Sequence, residues 1–185
     1  NPLYKDVIEK TLDFVTRELT NAEGGFYCAY DADSLDQNNH LEEGAFYVWT
    51  KTELQQIIKE DYDLFCVVFN INDFGFWEND HYVLIQNQSL DAIAKTHKIE
   101  LSVLEEKKKV WEKLLFTARE KRNKPRLDDK CLTSWNGIML KGYVDAYKAL
   151  KNDRYLKMAL TNAQFITKFL WHPKGNLFHN YKNGK

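Results

Sequence analysis

The sequence predicts an all-α body with small β-hairpins in its loops. Three observations carry this. Apolar residues recur at three- and four-residue steps in several long stretches. Helix-start chemistry opens these stretches, and glycine or proline closes them. The β-prone runs are short, aromatic and confined to the segments between. With 185 residues, the chain is long enough for one domain with a sizeable core, so residues 1–185 are expected to form a single domain.

Residues 2–20 place Leu3, Val7, Ile8, Leu12, Val15 and Leu19 on one stripe, and Gly24 and Gly25 stop that helix. Residues 26–30 and 45–49 are aromatic and β-prone and read as an irregular β-hairpin. Thr50 and Glu53 form a capping box that opens a helix over 50–69, with a slight break near Asp61. Residues 70–88 are loop, with a short strand over 81–85, and Ser89 caps a short helix. Ser102 and Glu105 read as a second capping box for a helix to Arg122, and Pro125 closes the region. Thr133 or Ser134 caps the next helix, which runs to Leu150, and a further helix spans 154–171. A strand-like 177–181 and an Asn183-Gly184 turn follow. The start at Asn1 and the lone strand at the other end read as a piece of a longer protein. If the long helices alternate up and down, the connections 21–49, 123–133 and 171–185 fall at one end.

The totals exclude some functions. A formal net charge of −1 argues against a dedicated nucleic-acid binder. No apolar run has the length of a membrane span, and no signal peptide opens the sequence. Cys28, Cys66 and Cys131 are sparse and form no C-x-x-C pair, which fits reduced thiols in a cytoplasmic protein. The five histidines make no metal-ligand spacing. Asp31, Asp33 and Glu42 match three positions of a calcium loop, but Leu35 and Asp36 stand where that loop wants an oxygen ligand and a glycine. No metal or other cofactor is expected.

The polar motifs concentrate in the connections expected at one end. Asp31 and Asp33 are spaced to point to one side of an extended segment, within reach of a common ligand for acid–base work on a glycosidic bond; the alternative is that they cap turns and helix N-termini. By alternation, one of Glu42 and Glu43 faces the same side as Phe46 and Val48. Arg126, Asp128, Asp129 and Lys130 put a rigid donor fork among two acids and an amine, suited to a ligand or to an internal ion-pair network. Trp49 and Trp135 are candidates to stack on a sugar ring, and Asn136 to contact it.

Taken together, Gly24-Gly25-Phe26-Tyr27, Asp31-Ala32-Asp33-Ser34, Glu42-Glu43-Gly44, Phe46-Tyr47-Val48-Trp49-Thr50 and the run from Arg126 to Gly137 resemble the spermatogenesis-associated, thioredoxin-domain-containing protein family. The resemblance covers essentially the whole chain. It implies a partial six-hairpin (α/α) toroid of antiparallel helical hairpins, like that of six-hairpin glycosidases and sugar 2-epimerases. It also implies a thioredoxin-like domain in the same parent chain, which the present sequence lacks, so no redox role is implied. Tyr30 departs from the Glu or Gln usual before Asp-Ala-Asp in that family, which removes one site group. The expected function is binding or processing of a carbohydrate. Asp31, Asp33, Asp128 and Asp129 would do the chemistry, and Glu42, Glu43, Trp49, Arg126, Lys130, Trp135 and Asn136 would hold the sugar. The alternative is a non-catalytic scaffold that presents clients or partners to the thioredoxin-like domain. A slice of such a toroid should expose apolar helix faces and self-associate.

Overall fold

Helix takes 54% and strand 13% of the computed structural model, which describes residues 2–182 and Gly184. In chain order the elements are α1 (Pro2–Glu18), β1 (Ala29–Tyr30), β2 (Asp33–Leu35), β3 (Leu41–Glu43), β4 (Trp49–Thr50), α2 (Lys51–Ile58), a 3₁₀ turn (Lys59–Asp61), α3 (Tyr62–Phe69), β5 (His81–Tyr82), α4 (Leu90–His97), α5 (Leu101–Arg119), β6 (Leu127–Asp128), β7 (Cys131–Leu132), α6 (Thr133–Leu150), α7 (Asp153–Phe165), a π-helical turn (Ile166–Leu170) and β8 (Asn180–Tyr181).

The expectation of an all-α toroid is corrected in its class: the architecture is mixed, with helices and small antiparallel sheets. The reason lies in the pairing. Among the strands of the described residues, only β2 and β3 form a local hairpin; β1 pairs with β6, β4 with β5, and β7 with β8. A two-residue strand leaves almost no periodic trace, and its partner lies far along the chain. The hairpin expected between 26–30 and 45–49 does not form. Residues 44–47 are turn, with Gly44 at φ +71° and its carbonyl accepting from Tyr47 N and Val48 N. Phe46 there is buried and Tyr47 is exposed, and neither joins a ladder.

Backbone contacts group the chain into two compact units, residues 1–31 with 127–185, and residues 32–126. In the first, Leu12 and Val15 of α1 meet Phe26, Tyr143 and Ala146 of α6, and Tyr155 and Ala159 of α7. Phe26 stacks on Tyr143 with ring centroids 5.4 Å apart. Cys131, Phe165 and Leu170 form a second buried group. α6 and α7 pack together, joined by Lys151 in a left-handed conformation and by Asn152, whose side chain accepts from Arg154 N. The second unit packs Leu54, Phe65, Val68, Ile93, Leu104, Trp111 and Leu115, all buried, from α2 to α5. Each such side chain contributes about 1.5–3 kcal/mol of burial free energy.

Local signals sort into those that hold and those that do not. The Thr50 box is present: Glu53 N donates to Thr50 Oγ1 and Thr50 N to Glu53 Oε2. Ser89 caps α4. The Ser102 box is not present; Ser102 lies inside α5, which starts after Glu100 without a side-chain cap. Nor does Thr133 cap α6; its hydroxyl donates to Phe178 O instead, at 2.5 Å. The Asn183-Gly184 turn falls at Asn183 outside the described residues.

Candidate functional site

The second unit holds a cleft of about 780 Å³. The turn after β2, strands β3 and β4, the start of α2 and the turn after α5 build its wall, with Asp36, Asn38, Glu42, Thr50, Glu53, His81, Lys121, Arg122 and Asn123 as the polar lining. Leu35, Ala45, Val48, Trp49 and Ile57 supply the apolar part. Its volume lies within the range of small-molecule sites.

Arg122 organises one side. Its Nη1 donates to the carbonyls of Ala45, Phe46 and Val48 at 3.2, 3.2 and 2.6 Å. Its Nη2 donates to Glu53 Oε1 at 2.9 Å. The guanidinium lies over Trp49, 4.0 Å from a ring centroid. Burial lowers the Arg122 pKa, and the Glu53 carboxylate opposes that shift. This residue was absent from the expected site because it sits in a run of basic residues that reads as a solvated helix face. Nothing in the sequence marks a guanidinium that fits three carbonyls of a turn far upstream.

Register fixes the acids of β2 and β3. Ser34 stands opposite Glu42, and Asp33 opposite Glu43. Ser34 is buried, with its Oγ accepting from Phe46 N at 2.9 Å. Glu42 is half-buried and lines the cleft, whereas Glu43 is exposed. Asp36 closes its own turn: Oδ1 accepts from Asn38 N at 2.8 Å and from His40 N at 2.7 Å. The His40 amide beside it holds the Asp36 carboxyl below the usual range. Of the eleven residues expected in the site, Glu42 and Trp49 line this cleft. Trp49 is 3% exposed with Arg122 on its face, so it is core and cannot serve as an open stacking platform.

Asp31, Asp128, Asp129, Lys130, Trp135 and Asn136 belong to the first unit, while Asp33, Glu43 and Arg126 belong to the second. Within the first unit, the two motif stretches do meet. Ala29 pairs with Asp128 and Tyr30 with Leu127, and the β7–β8 ladder sets Cys131 opposite Tyr181. Asp128 pairs with Lys130 at 3.1 Å, and that hydrogen bond holds its carboxyl below the usual range. Asp129 pairs with Lys182 at 2.5 Å. Trp135 is 52% exposed at the start of α6.

Asn136, expected to touch substrate, is instead fully buried. Its Oδ1 accepts from Phe26 N at 2.7 Å and from Asn162 Nδ2 at 2.9 Å. Its Nδ2 donates to Phe26 O and Leu132 O at 3.0 and 2.9 Å. Asn162, also fully buried, donates to Gly24 O at 2.8 Å. This pair of amides stitches α6 and α7 to the loop after α1. The Cys131 thiol is buried and pushed up to about 12, chiefly by burial.

Among the described residues, no three His, Cys, Asp or Glu side chains are grouped as a metal site requires, and no helix is long and apolar enough to cross a membrane.

No family model matches the chain. It is similar to an uncharacterized protein of Caenorhabditis elegans, B0495.5, at 34% identity over 90% of this chain and 25% of that protein. It is 31% identical to human spermatogenesis-associated protein 20 over 91% of this chain and 24% of that protein. Mouse spermatogenesis-associated protein 20 is 30% identical over the same shares. The chain thus spans about a quarter of the length of these relatives.

Proposed function

The chain belongs to the family of spermatogenesis-associated protein 20, and on that premise we propose that it binds a carbohydrate in the cleft of the second unit. The observation that carries the reading is the make-up of the cleft wall. Carboxylate, amide, hydroxyl and imidazole groups from Glu42, Asn38, Asn123, Thr50 and His81 face the same space as the apolar Val48 and Ile57. A sugar presents the matching pattern, hydroxyls that both donate and accept on a ring with apolar C–H faces. Arg122 acts as the brace of this wall, since its contacts join the turn at 45–48 to the start of α2.

Chemistry on the sugar is a further step of the same proposal. Glu42 is the carboxylate placed to serve as acid or base there. The three free thiols, Cys28, Cys66 and Cys131, support a reducing compartment, the cytoplasm. The test is a glycan screen of the protein by ligand-observed NMR, with binding mapped on backbone amides. Shifts clustered at residues 36–53 and 121–123 support the reading. Saturating concentrations that move no resonance there overturn it and favour a scaffold.

A further inference from the structure

We infer that the cleft selects an amine-bearing sugar over a neutral one and discriminates against phosphorylated or carboxylated sugars. This rests on the carbohydrate reading above and goes on to the charge of the ligand.

Most charges that line the cleft are already engaged. Arg122 is the more sheltered cation of the wall, half-buried with 17% of its side-chain surface exposed. Its Nη1 is engaged by Ala45 O, Phe46 O and Val48 O, its Nη2 donates to Glu53 Oε1, and its flat face lies on Trp49. A phosphate or carboxylate seeking both Nη atoms would have to compete with Glu53 and the turn carbonyls. The Nη pair that can grip an anion bidentately is therefore already engaged.

The acids divide the same way. Glu53 is held by Arg122 and by the Thr50 cap. Asp36 accepts from Asn38 N and His40 N within its own turn. Glu42 differs. Its side chain is half-buried, it lines the cleft, and among the described residues no hydrogen bond or ion pair engages its carboxylate. Ser34, its cross-strand neighbour, is turned to the Phe46 amide and leaves it alone. Lys121 is the remaining cation of the lining, and it is exposed. A solvated ammonium on a flexible stem is screened, whereas a half-buried carboxylate is not, so Glu42 dominates the field a ligand feels. His81 adds a ring that donates or accepts as required.

A ligand ammonium placed against Glu42 would complete the pairing that the fold leaves open. A ligand anion would meet Glu42 with no free buried cation to offset it.

The experiment titrates the protein with glucosamine, glucose, glucose 6-phosphate and glucuronate at pH 6.5 and fixed ionic strength, read by amide shifts at residues 36–53. It is repeated with Glu42→Gln, which keeps the size and removes the charge, after circular dichroism has shown the variant folded. Glucosamine should bind roughly tenfold tighter than glucose, and both anions roughly tenfold weaker than glucose. Glu42→Gln should bring glucosamine and glucose within about threefold of each other. The inference is overturned if either anion binds more tightly than glucosamine, or if the amine preference survives in Glu42→Gln. Binding of none of the four to the folded protein instead overturns the carbohydrate reading itself.

Discussion

Replacing Arg122 by methionine should unfold the second unit at markedly lower denaturant. Methionine keeps an apolar stem over Trp49 but removes every donor. Three turn carbonyls and one carboxylate oxygen then lose their partner. Hydrogen bonds to a charged group are worth about 1.5–3 kcal/mol each, and breaking a buried pair costs about 3–5 kcal/mol. Glu53 has 26% of its side-chain surface exposed, so water can take over part of its bonding. A net loss of about 2–4 kcal/mol follows. Arg122→Lys keeps the charge but cannot reach both the carbonyls and Glu53 at once, and should lose about 1–2 kcal/mol. The assay is urea denaturation by circular dichroism, with hydrogen exchange at the Phe46, Tyr47 and Thr50 amides as the local probe. Those amides are bonded to Ser34 Oγ, Gly44 O and Glu53 Oε2. In a double-mutant cycle, Arg122→Met and Glu53→Gln should couple by about 1–2 kcal/mol, because glutamine keeps the capping box and removes the ion pair. A stability change under about 0.5 kcal/mol for Arg122→Met, with exchange unaltered at those amides, would refute the brace.

Three other outcomes follow from the structure. Asn136→Leu should cost about 3 kcal/mol, read as a lower thermal midpoint, since it leaves Phe26 N and Phe26 O buried without the amide that pairs both; an unchanged midpoint would remove the amide clasp. The Asp61 carboxyl is held below its ordinary value by Lys107 at 2.6 Å and then by Trp111 Nε1 at 3.1 Å. Its stabilisation is therefore full above about pH 4 and fades as pH falls through the depressed folded value. Asp61→Asn should cost about 1 kcal/mol at pH 6, a modest figure for a partly exposed pair, and the gap from the parent should close toward pH 2. In thiol labelling at pH 8, Cys131 should react last and only as the first unit opens, because it is 1% exposed and its thiol is pushed up to about 12, whereas Cys28 and Cys66 are half-buried; mass spectrometry of the labelled peptides decides it.

Features governed by near neighbours could be read from the sequence. Thr50 and Glu53 announce α2 because both halves of the capping box lie within one turn, and the Ser89 cap is equally local. The stripe that includes Leu12 and Val15 finds the core of the first unit because helix periodicity survives any tertiary setting. Contacts between distant residues could not be read. Ser102 and Glu105 have the right spacing for a box, yet α5 begins earlier, where the chain enters from Glu100. Asn136 sits in a polar motif that invites a ligand reading, and its role depends on Phe26 and Asn162, both far away in sequence. Glu42 could be placed on one side by alternation, but its lack of a partner depends on where Ser34, Arg122 and Asp36 direct their own bonds. Short ladders between distant strands escaped for the same reason, and they are what makes the architecture mixed.

The chain order of the two units bears on synthesis at the ribosome. Residues 32–126 are contiguous, while their companion unit is split around them. A nascent polypeptide that has emerged as far as Arg126 carries every residue of the contiguous unit. At that moment α1 and β1 have been waiting while their partners β6, α6 and α7 have yet to emerge. The exposed side chains of α1 therefore persist for the several seconds that such a stretch takes to translate. Once the middle has collapsed, the β1–β6 ladder no longer has to close a long flexible loop, and its entropic cost falls accordingly.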